Sequence, residues 1–131
     1  MRKILYYLII LLLLTSCLKE KEKKINPNLI YYNSSFIAEM GDETFERLSP
    51  KLRPEIKAKY LDDIIYISKI VEANACGQYQ GDVKITKDSI YLIERPTSDL
   101  VCASVSLVRL TYIIKNPKNK KNYKFALTYE E

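Results

Sequence analysis

Alternating apolar and polar positions dominate the C-terminal part of the chain and predict β-strands there. Apolar side chains recur at every second position from 110 to 114 and again from 123 to 129. A period of two places one set of side chains on a core and the other towards water. The segment between the runs is rich in Asn, Pro and Lys, as is typical of a turn. We therefore predict a hairpin whose apolar face carries Leu110, Tyr112, Ile114, Tyr123, Phe125, Leu127 and Tyr129.

The middle of the chain has a second hairpin pattern. Alternating β-branched and aliphatic residues at positions 83–92 are interrupted by a turn at Lys87-Asp88. A β-branched run at positions 64–71 favours a further strand, which leads towards Cys76. We predict a mainly β fold, an antiparallel meander that forms a sandwich or a partly open barrel. An α+β fold is the alternative.

Residues 30–61 follow a less regular pattern. Pro54 stands at the first position of an apolar pattern that reaches Leu61 and fits a short helix. The stretch from Tyr31 to Leu48 fits a strand, a helix or both. One or two short helices are therefore expected in this N-terminal part of the domain.

The N-terminus has the dimensions of an export signal. A basic pair at positions 2–3 precedes an apolar run, Ile4 to Leu14, and the small residues Thr15-Ser16. A helix needs about 20 apolar residues to span a bilayer, so this run is too short to be a stable anchor by itself. We interpret residues 1–16 as a signal peptide.

The end of this signal carries a more specific pattern. Leu14-Thr15-Ser16-Cys17 resembles the lipobox of bacterial lipoproteins, whose cysteine becomes the mature N-terminus. The resemblance implies that Cys17 receives a thioether-linked diacylglycerol and usually a further acyl chain on its amino group. Two or more chains hold a protein durably on a membrane, whereas one binds only marginally. An ordinary signal peptide that happens to end near a cysteine is the alternative.

Sorting the charges by region argues against a nucleic acid partner. The chain has 21 basic and 16 acidic residues, a net charge of +5. Removing the basic pair of the signal and the six charges of residues 19–24 leaves 15 basic and 14 acidic residues. A nucleic-acid-binding domain would concentrate its positive charge in the folded part. We divide the chain into the signal peptide (1–16), a lipidated cysteine with a flexible tether (17–28) and a single β-rich domain (29–131).

Two cysteines remain besides Cys17, and they predict a disulfide. Cys76 and Cys102 form an even pair in a chain that leaves the reducing cytosol. Closing a loop of about 27 residues would stabilise the fold by roughly 3.5 kcal/mol. Two buried thiols or a metal pair are the alternatives, although a zinc site would lack its usual ligands in a chain without histidine.

The absence of histidine limits the chemistry of the chain. It excludes a Ser-His-Asp triad, a Cys-His dyad and an H-E-x-x-H zinc helix. The three glycines form neither a G-x-S-x-G motif nor a phosphate-binding loop. We expect a protein without enzymatic activity and predict no cofactor and no metal.

Three features are candidates for contact with a partner. The basic turn from Lys115 to Lys124 fits either a contact with lipid headgroups or, more commonly, a solvated turn that discourages edge pairing. The segment from Cys76 to Gly81 fits a ligand loop or a connector. Tyrosines bind partners with little loss of entropy, although strand aromatics usually fill a core. The candidate ligand or partner surface consists of Tyr79, Tyr112, Phe125 and Tyr129.

These patterns together favour a non-enzymatic envelope lipoprotein that binds a protein or a glycan. The alternative is a carrier of a small apolar ligand or lipid in a cavity lined by Tyr112, Phe125, Leu127 and Tyr129. Leu18 departs from the aspartate that retains some lipoproteins at the inner membrane, so the outer membrane is expected. The short strands and the cysteine pair loosely resemble small exported β-rich lipoprotein domains of the Bacteroidetes type.

Overall fold

A computed structural model of the protein describes residues 24–130. The predicted signal peptide, Cys17 and the first part of the predicted tether lie outside these residues. The secondary structure elements are β1 (Leu29–Glu39), α1 (Glu43–Leu48), a 3₁₀ helix (Ser49–Lys51), β2 (Ala58–Leu61), β3 (Ile64–Asn74), β4 (Tyr79–Ile85), β5 (Ser89–Pro96), β6 (Val105–Lys115) and β7 (Lys124–Tyr129).

The strands form two sheets that pack face to face. Sheet A has the order β1-β6-β3-β2 and is antiparallel throughout, whereas sheet B has the order β4-β5-β7. In sheet B, β4 runs antiparallel to β5 and β7 runs parallel to it. The mainly β class and the sandwich arrangement are therefore confirmed, and the described strands do not close into a barrel.

Two of the predicted strand regions are confirmed. The alternation at positions 83–92 is the β4–β5 hairpin, closed by a hydrogen bond from the Thr86 amide to the Ser89 carbonyl at 2.8 Å. The β-branched run at 64–71 belongs to β3, which pairs with β6 along its whole length. The strand order nevertheless departs from a meander, because β1 and β3 both pair with β6.

The predicted C-terminal hairpin is wrong. β6 lies in the centre of sheet A, whereas β7 crosses to sheet B and pairs in parallel with β5. Both segments are half-buried strands, and their alternation shows this correctly. A period of two does not specify a pairing partner, and the connecting segment, residues 116–123, is long enough to cross from one sheet to the other.

The predicted helix from Pro54 to Leu61 is also wrong. The chain forms α1 earlier, and Ala58–Leu61 is a strand that pairs with β3. The segment between them is held in an irregular conformation by the Lys69 ammonium group. This group donates hydrogen bonds to the carbonyls of Arg53, Pro54 and Glu55 at 2.6, 3.2 and 3.1 Å. No sequence pattern reveals this contact, because Lys69 lies on a distant strand.

The main core fills the space between the sheets. Its side chains come from alternate positions of the strands in both sheets, as a period of two requires. Sheet B contributes Phe125 and Leu127 as half-buried side chains against it. The fully buried members are Ile65, Ile67, Val71, Val83, Ile90, Leu92, Leu110, Tyr112 and Ile114.

A smaller core lies on the opposite face of sheet A. Phe45 of α1 packs there against Ala38 and Leu107, which are buried. The register of β1 shifts between Phe36 and Ala38, as expected for a bulge that redirects side chains. Sheet A is therefore covered on both faces where β1 ends.

The strand directions give the domain two distinct ends. β1 and β3 each contain 11 residues, so they span about 35 Å. The first end, here called the basic end, consists of residues 24–28, 61–64, 85–89 and 115–124. The second, here called the disulfide end, consists of residues 39–52, 75–78 and 97–104.

Gly81 of β4 lies directly against an aromatic ring of sheet A. A Cβ atom at this position would overlap the ring of Tyr32 from β1. Tyr32 in turn packs edge-on against Tyr112, with ring centroids 5.1 Å apart and an interplanar angle of 62°. The absence of a side chain at Gly81 therefore allows the ring of Tyr32 to lie against the backbone of sheet B.

We predict that Gly81→Ala destabilises the domain by roughly 1–3 kcal/mol, the usual cost of overpacking a core. The measurement is urea-induced unfolding of the mature chain. In a Tyr32→Ala background the same substitution should cost much less, because the overlapping ring is gone. An equal loss in both backgrounds would contradict the proposed role of this contact.

Candidate functional site

The disulfide end is built around the bond between Cys76 and Cys102, whose Cα atoms lie 5.7 Å apart. Cys76 belongs to the connection from β3 to β4, and Cys102 to the connection from β5 to β6. Both connections cross between sheet A and sheet B. The disulfide therefore joins the two crossovers at one end of the sandwich.

Asn74, the last residue of β3, holds the same crossovers through its side chain. Its Nδ2 donates to the Cys102 carbonyl at 2.6 Å, and its Oδ1 accepts from the amides of Cys76 and Cys102 at 3.1 and 3.2 Å. These bonds satisfy backbone groups that have no strand partner. The side chain of Asn74 thus fixes the backbone around the disulfide independently of the covalent bond.

A cleft of about 320 Å³ opens beside the disulfide, between residues of β1, β6 and the connection from β3 to β4. Phe36 of β1 and Tyr79 of β4 contribute aromatic rings, and the remaining lining is uncharged. It consists of Ser34, Asn74, Ala75, Gly77, Gln78, Ser106 and Val108. The cleft can therefore contact apolar groups through its rings and form neutral hydrogen bonds through its amides and hydroxyls.

Large apolar side chains are exposed at the same end. Phe36 is 65% exposed, Met40 53%, Leu100 64% and Val101 79%. Leu100 and Val101 immediately precede the disulfide-bonded Cys102, and the Met40 amide donates to the Val105 carbonyl at 2.8 Å. Single exposed apolar residues are common on protein surfaces and indicate little. Several of them at the end of a domain that also carries a cleft indicate a binding surface more strongly.

A buried carboxyl group lies deeper between the sheets. Glu94 of β5 is 2% exposed and faces two tyrosines of sheet A. The Tyr32 hydroxyl donates to Glu94 Oε2 at 2.6 Å, and the Tyr112 hydroxyl bonds to Glu94 Oε1. The Tyr112 hydroxyl also donates to the Ile93 carbonyl at 3.1 Å. These bonds connect the two sheets through polar groups inside an apolar core.

Burial raises the pKa of Glu94, although the hydrogen bonds with Tyr112 and Tyr32 oppose the shift. Burial also raises the pKa of both tyrosines, and the nearby Glu94 adds to this. A tyrosine hydroxyl has only one proton to donate. If Glu94 is protonated, it can donate to Tyr112 while Tyr112 donates to Ile93, so every group is satisfied. The raised pKa favours this protonated form up to a higher pH than for an exposed glutamate.

A second buried carboxylate has a charged partner on the outer face of sheet B. Asp82 accepts from the Arg95 guanidinium at 2.7 Å, and Arg95 also pairs with Glu130 at 2.8 Å. Asp82 further accepts from the amides of Asn26 and Val83 at 2.8 and 2.7 Å. This ion-paired cluster attaches residues before β1 to the edge of sheet B.

The structure separates the residues of the predicted partner surface. Tyr79 lines the cleft at the disulfide end, whereas Tyr112 is fully buried and Phe125 packs against the main core. Tyr129 is exposed but lines a different cleft of about 340 Å³, on the flank beside Lys69. Among the predicted residues, only Tyr79 reaches the disulfide end cleft.

The cavity expected for a ligand carrier does not form from the predicted residues. Tyr112, Phe125 and Leu127 belong to the main core or pack against it, so their side chains fill the space between the sheets. Phe36, Leu100 and Val101 were missed, because their exposure depends on where the crossovers run. The only available signal was the position of Leu100 and Val101 beside a predicted disulfide.

Neither a metal centre nor a membrane-spanning helix is seen within residues 24–130. In that range no three side chains of the metal-binding types cluster closely enough to hold an ion. The helical segments within the same range are too short to cross a bilayer.

Comparison with known families decides the nature of the N-terminus. Residues 1–17 match the family described as "Prokaryotic membrane lipoprotein lipid attachment site". Residues 1–17 are a bacterial lipoprotein signal segment. The protein is therefore a lipid-anchored lipoprotein of the cell envelope. No curated protein and no solved structure matches the lipoprotein.

We predict that replacing both cysteines, Cys76→Ala with Cys102→Ala, lowers the free energy of unfolding of the lipoprotein domain by roughly 3 kcal/mol. The open chain gains conformational freedom in its unfolded state, while Asn74 still holds the native crossovers. Urea-induced unfolding under non-reducing conditions measures the loss. A loss below about 0.5 kcal/mol, the scale of a neutral surface change, would contradict a stabilising bond.

We predict a specific pH dependence for Glu94. Since folding raises the pKa of Glu94, the native state retains the proton up to a higher pH than the unfolded state does. This contribution to stability is fully present below about pH 4.3, the ordinary pKa of glutamate. It is lost as the pH rises through the native pKa. Relative to Glu94→Gln, the wild type should therefore become progressively less stable from acid to neutral pH in urea unfolding. The opposite slope would show that Glu94 is ionised in the core.

Proposed function

We propose that this lipoprotein is a non-enzymatic interaction module that binds an envelope protein at its disulfide end. The observations that carry the proposal are the cleft of about 320 Å³, which Phe36 and Tyr79 line, and the exposed apolar side chains of Met40, Leu100 and Val101 at the same end of the domain. Exposed apolar side chains beside a cleft are a common feature of protein interaction sites. The disulfide and Asn74 hold the surrounding crossovers in place before any partner binds.

The composition of this end favours a protein over a glycan. Phe36 and Tyr79 could stack on a sugar ring, but the aliphatic side chains of Leu100 and Val101 have no polar group to offer to hydroxyls. The residues assigned above to this end include five acidic and two basic side chains. A partner with an apolar contact surface and a basic rim would complement both properties.

The proposal of a non-enzymatic role rests on the chemistry of the chain. It contains no histidine, the side chain that most often transfers protons at neutral pH. Glu94 has a raised pKa, which often marks a functional group, but it is 2% exposed and its hydrogen bonds connect the two sheets. We assign it to the stability of the sandwich.

We further propose that the lipoprotein resides at the outer membrane. Leu18 follows Cys17, where a retained inner-membrane lipoprotein of some bacteria would have an aspartate. Separation of inner and outer membranes by density, followed by detection of the protein, tests this step independently of binding.

We predict that a photo-crosslinking amino acid at Phe36 or Val101 gives one discrete covalent adduct in intact cells. The matched control is Tyr31, an exposed aromatic residue on the outer face of sheet A, where no such adduct is expected. Electrophoresis and mass spectrometry of the purified adduct identify the partner. Adducts of equal yield at all three positions, or none at Phe36 and Val101, would contradict a binding site at the disulfide end.

A further inference from the structure

The basic end carries a lysine-rich cleft that the proposed function does not use. The cleft has a volume of about 430 Å³ and lies between the β4–β5 turn and the segment that follows β6. Four of its lining residues are lysines. They are Lys87, Lys115, Lys118 and Lys120, and Pro117 and Tyr123 also line the cleft.

The lysine-bearing segment has a defined conformation. Asn116 is buried, its Nδ2 donates to the Lys120 carbonyl at 3.0 Å, and its Oδ1 accepts from the Lys120 amide at 3.2 Å. The ammonium group of Lys120 lies 4.6 Å from the centroid of the Tyr123 ring and pairs with Asp88 at 3.4 Å. Lys120 therefore serves the structure of the segment. The neighbouring lysines, Lys118 and Lys121, are exposed to solvent.

The remaining lysines of this end are exposed and form no salt bridge with any described residue. They are Lys24, Lys87, Lys115, Lys118, Lys121 and Lys124. The residues assigned above to the basic end include seven lysines and three aspartates, whereas those assigned to the disulfide end include five acidic and two basic residues. The residues at the two ends of the domain therefore carry opposite net charges.

The tether enters the domain close to this positive end. The Lys115 amide donates to the Asn28 carbonyl at 2.8 Å, and the Asn26 amide donates to the buried Asp82 at 2.8 Å. The 11 residues from Leu18 to Asn28 can span at most about 40 Å. The lysines therefore stay within a short distance of the bilayer to which Cys17 is attached.

We propose that the basic end docks on the phosphate-bearing headgroups of anionic lipids in the anchoring membrane. Each lysine near such a surface favours the docked state by about fivefold. Because the tether already confines the domain, the interaction needs little affinity of its own. Docking turns the disulfide end away from the membrane, about 35 Å further out.

The lipoprotein contains no tryptophan, so one introduced tryptophan can report the orientation of the domain. Pro117→Trp places the reporter in the basic cleft, and Leu100→Trp places the control at the disulfide end. Each lipidated protein is reconstituted into phosphatidylcholine vesicles with a dansyl-labelled headgroup, with or without phosphatidylglycerol. We expect phosphatidylglycerol to increase energy transfer from position 117 and to decrease it from position 100, and high salt to reverse both changes.

Substitutions in the lysines test the charge requirement. Lys115→Gln, Lys118→Gln, Lys121→Gln and Lys124→Gln together should lower the ratio of docked to undocked domain more than tenfold. The matched control removes four positive charges elsewhere, with Arg47→Gln, Lys51→Gln, Arg53→Gln and Lys57→Gln. This control should retain the response to phosphatidylglycerol, and circular dichroism checks that both variants keep their strands.

Three results would overturn the proposal. The first is equal energy transfer from positions 117 and 100 in anionic vesicles. The second is an equal loss of the response in both four-site variants, since this would indicate a general charge effect. The third is loss of the response when inorganic phosphate is added at constant ionic strength, because the cleft would then bind a discrete phosphate group and not a lipid surface.

Discussion

The contact of Glu94 with Tyr32 and Tyr112 links the two sheets more specifically than any apolar contact can. Apolar side chains pack in many arrangements, but a buried carboxyl group needs partners at defined positions. Tyr32 and Tyr112 supply them from neighbouring strands of sheet A. The ring of Tyr32 then occupies the space where Gly81 has no side chain. This one arrangement sets how closely sheet A and sheet B pack and how their strands are positioned relative to each other.

The space between the sheets is filled by the main core, whereas a cleft lies beside the disulfide. Aliphatic and aromatic side chains, Phe125 among them, fill the main core, and the cleft with Phe36 and Tyr79 lies at the disulfide end. The disulfide and Asn74 fix the crossovers beside this opening. A surface at this end can therefore expose apolar side chains without loss of the core.

Sequence periodicity predicted the strand character of β3 to β7 and the β4–β5 hairpin, because half-burial leaves a local signal. It failed to place β7, since alternation carries no information about partners, and it assigned a helix after Pro54 because the contact with Lys69 is not local. The disulfide was predictable from the export signal and the cysteine count. The apolar surface at Phe36, Leu100 and Val101 was not, because exposure is set by the tertiary path of the crossovers.

The lipoprotein thus has an anchored, basic end and a distal end stabilised by a disulfide. The most direct test of this account is the intact mass of the protein extracted from membranes, measured with and without reductant. We expect the mass of residues 17–131 plus acyl chains, and an increase by the mass of about two hydrogens on reduction. A mass that fits an unlipidated chain starting at another residue would contradict the anchor. A mass that does not change on reduction would contradict the disulfide.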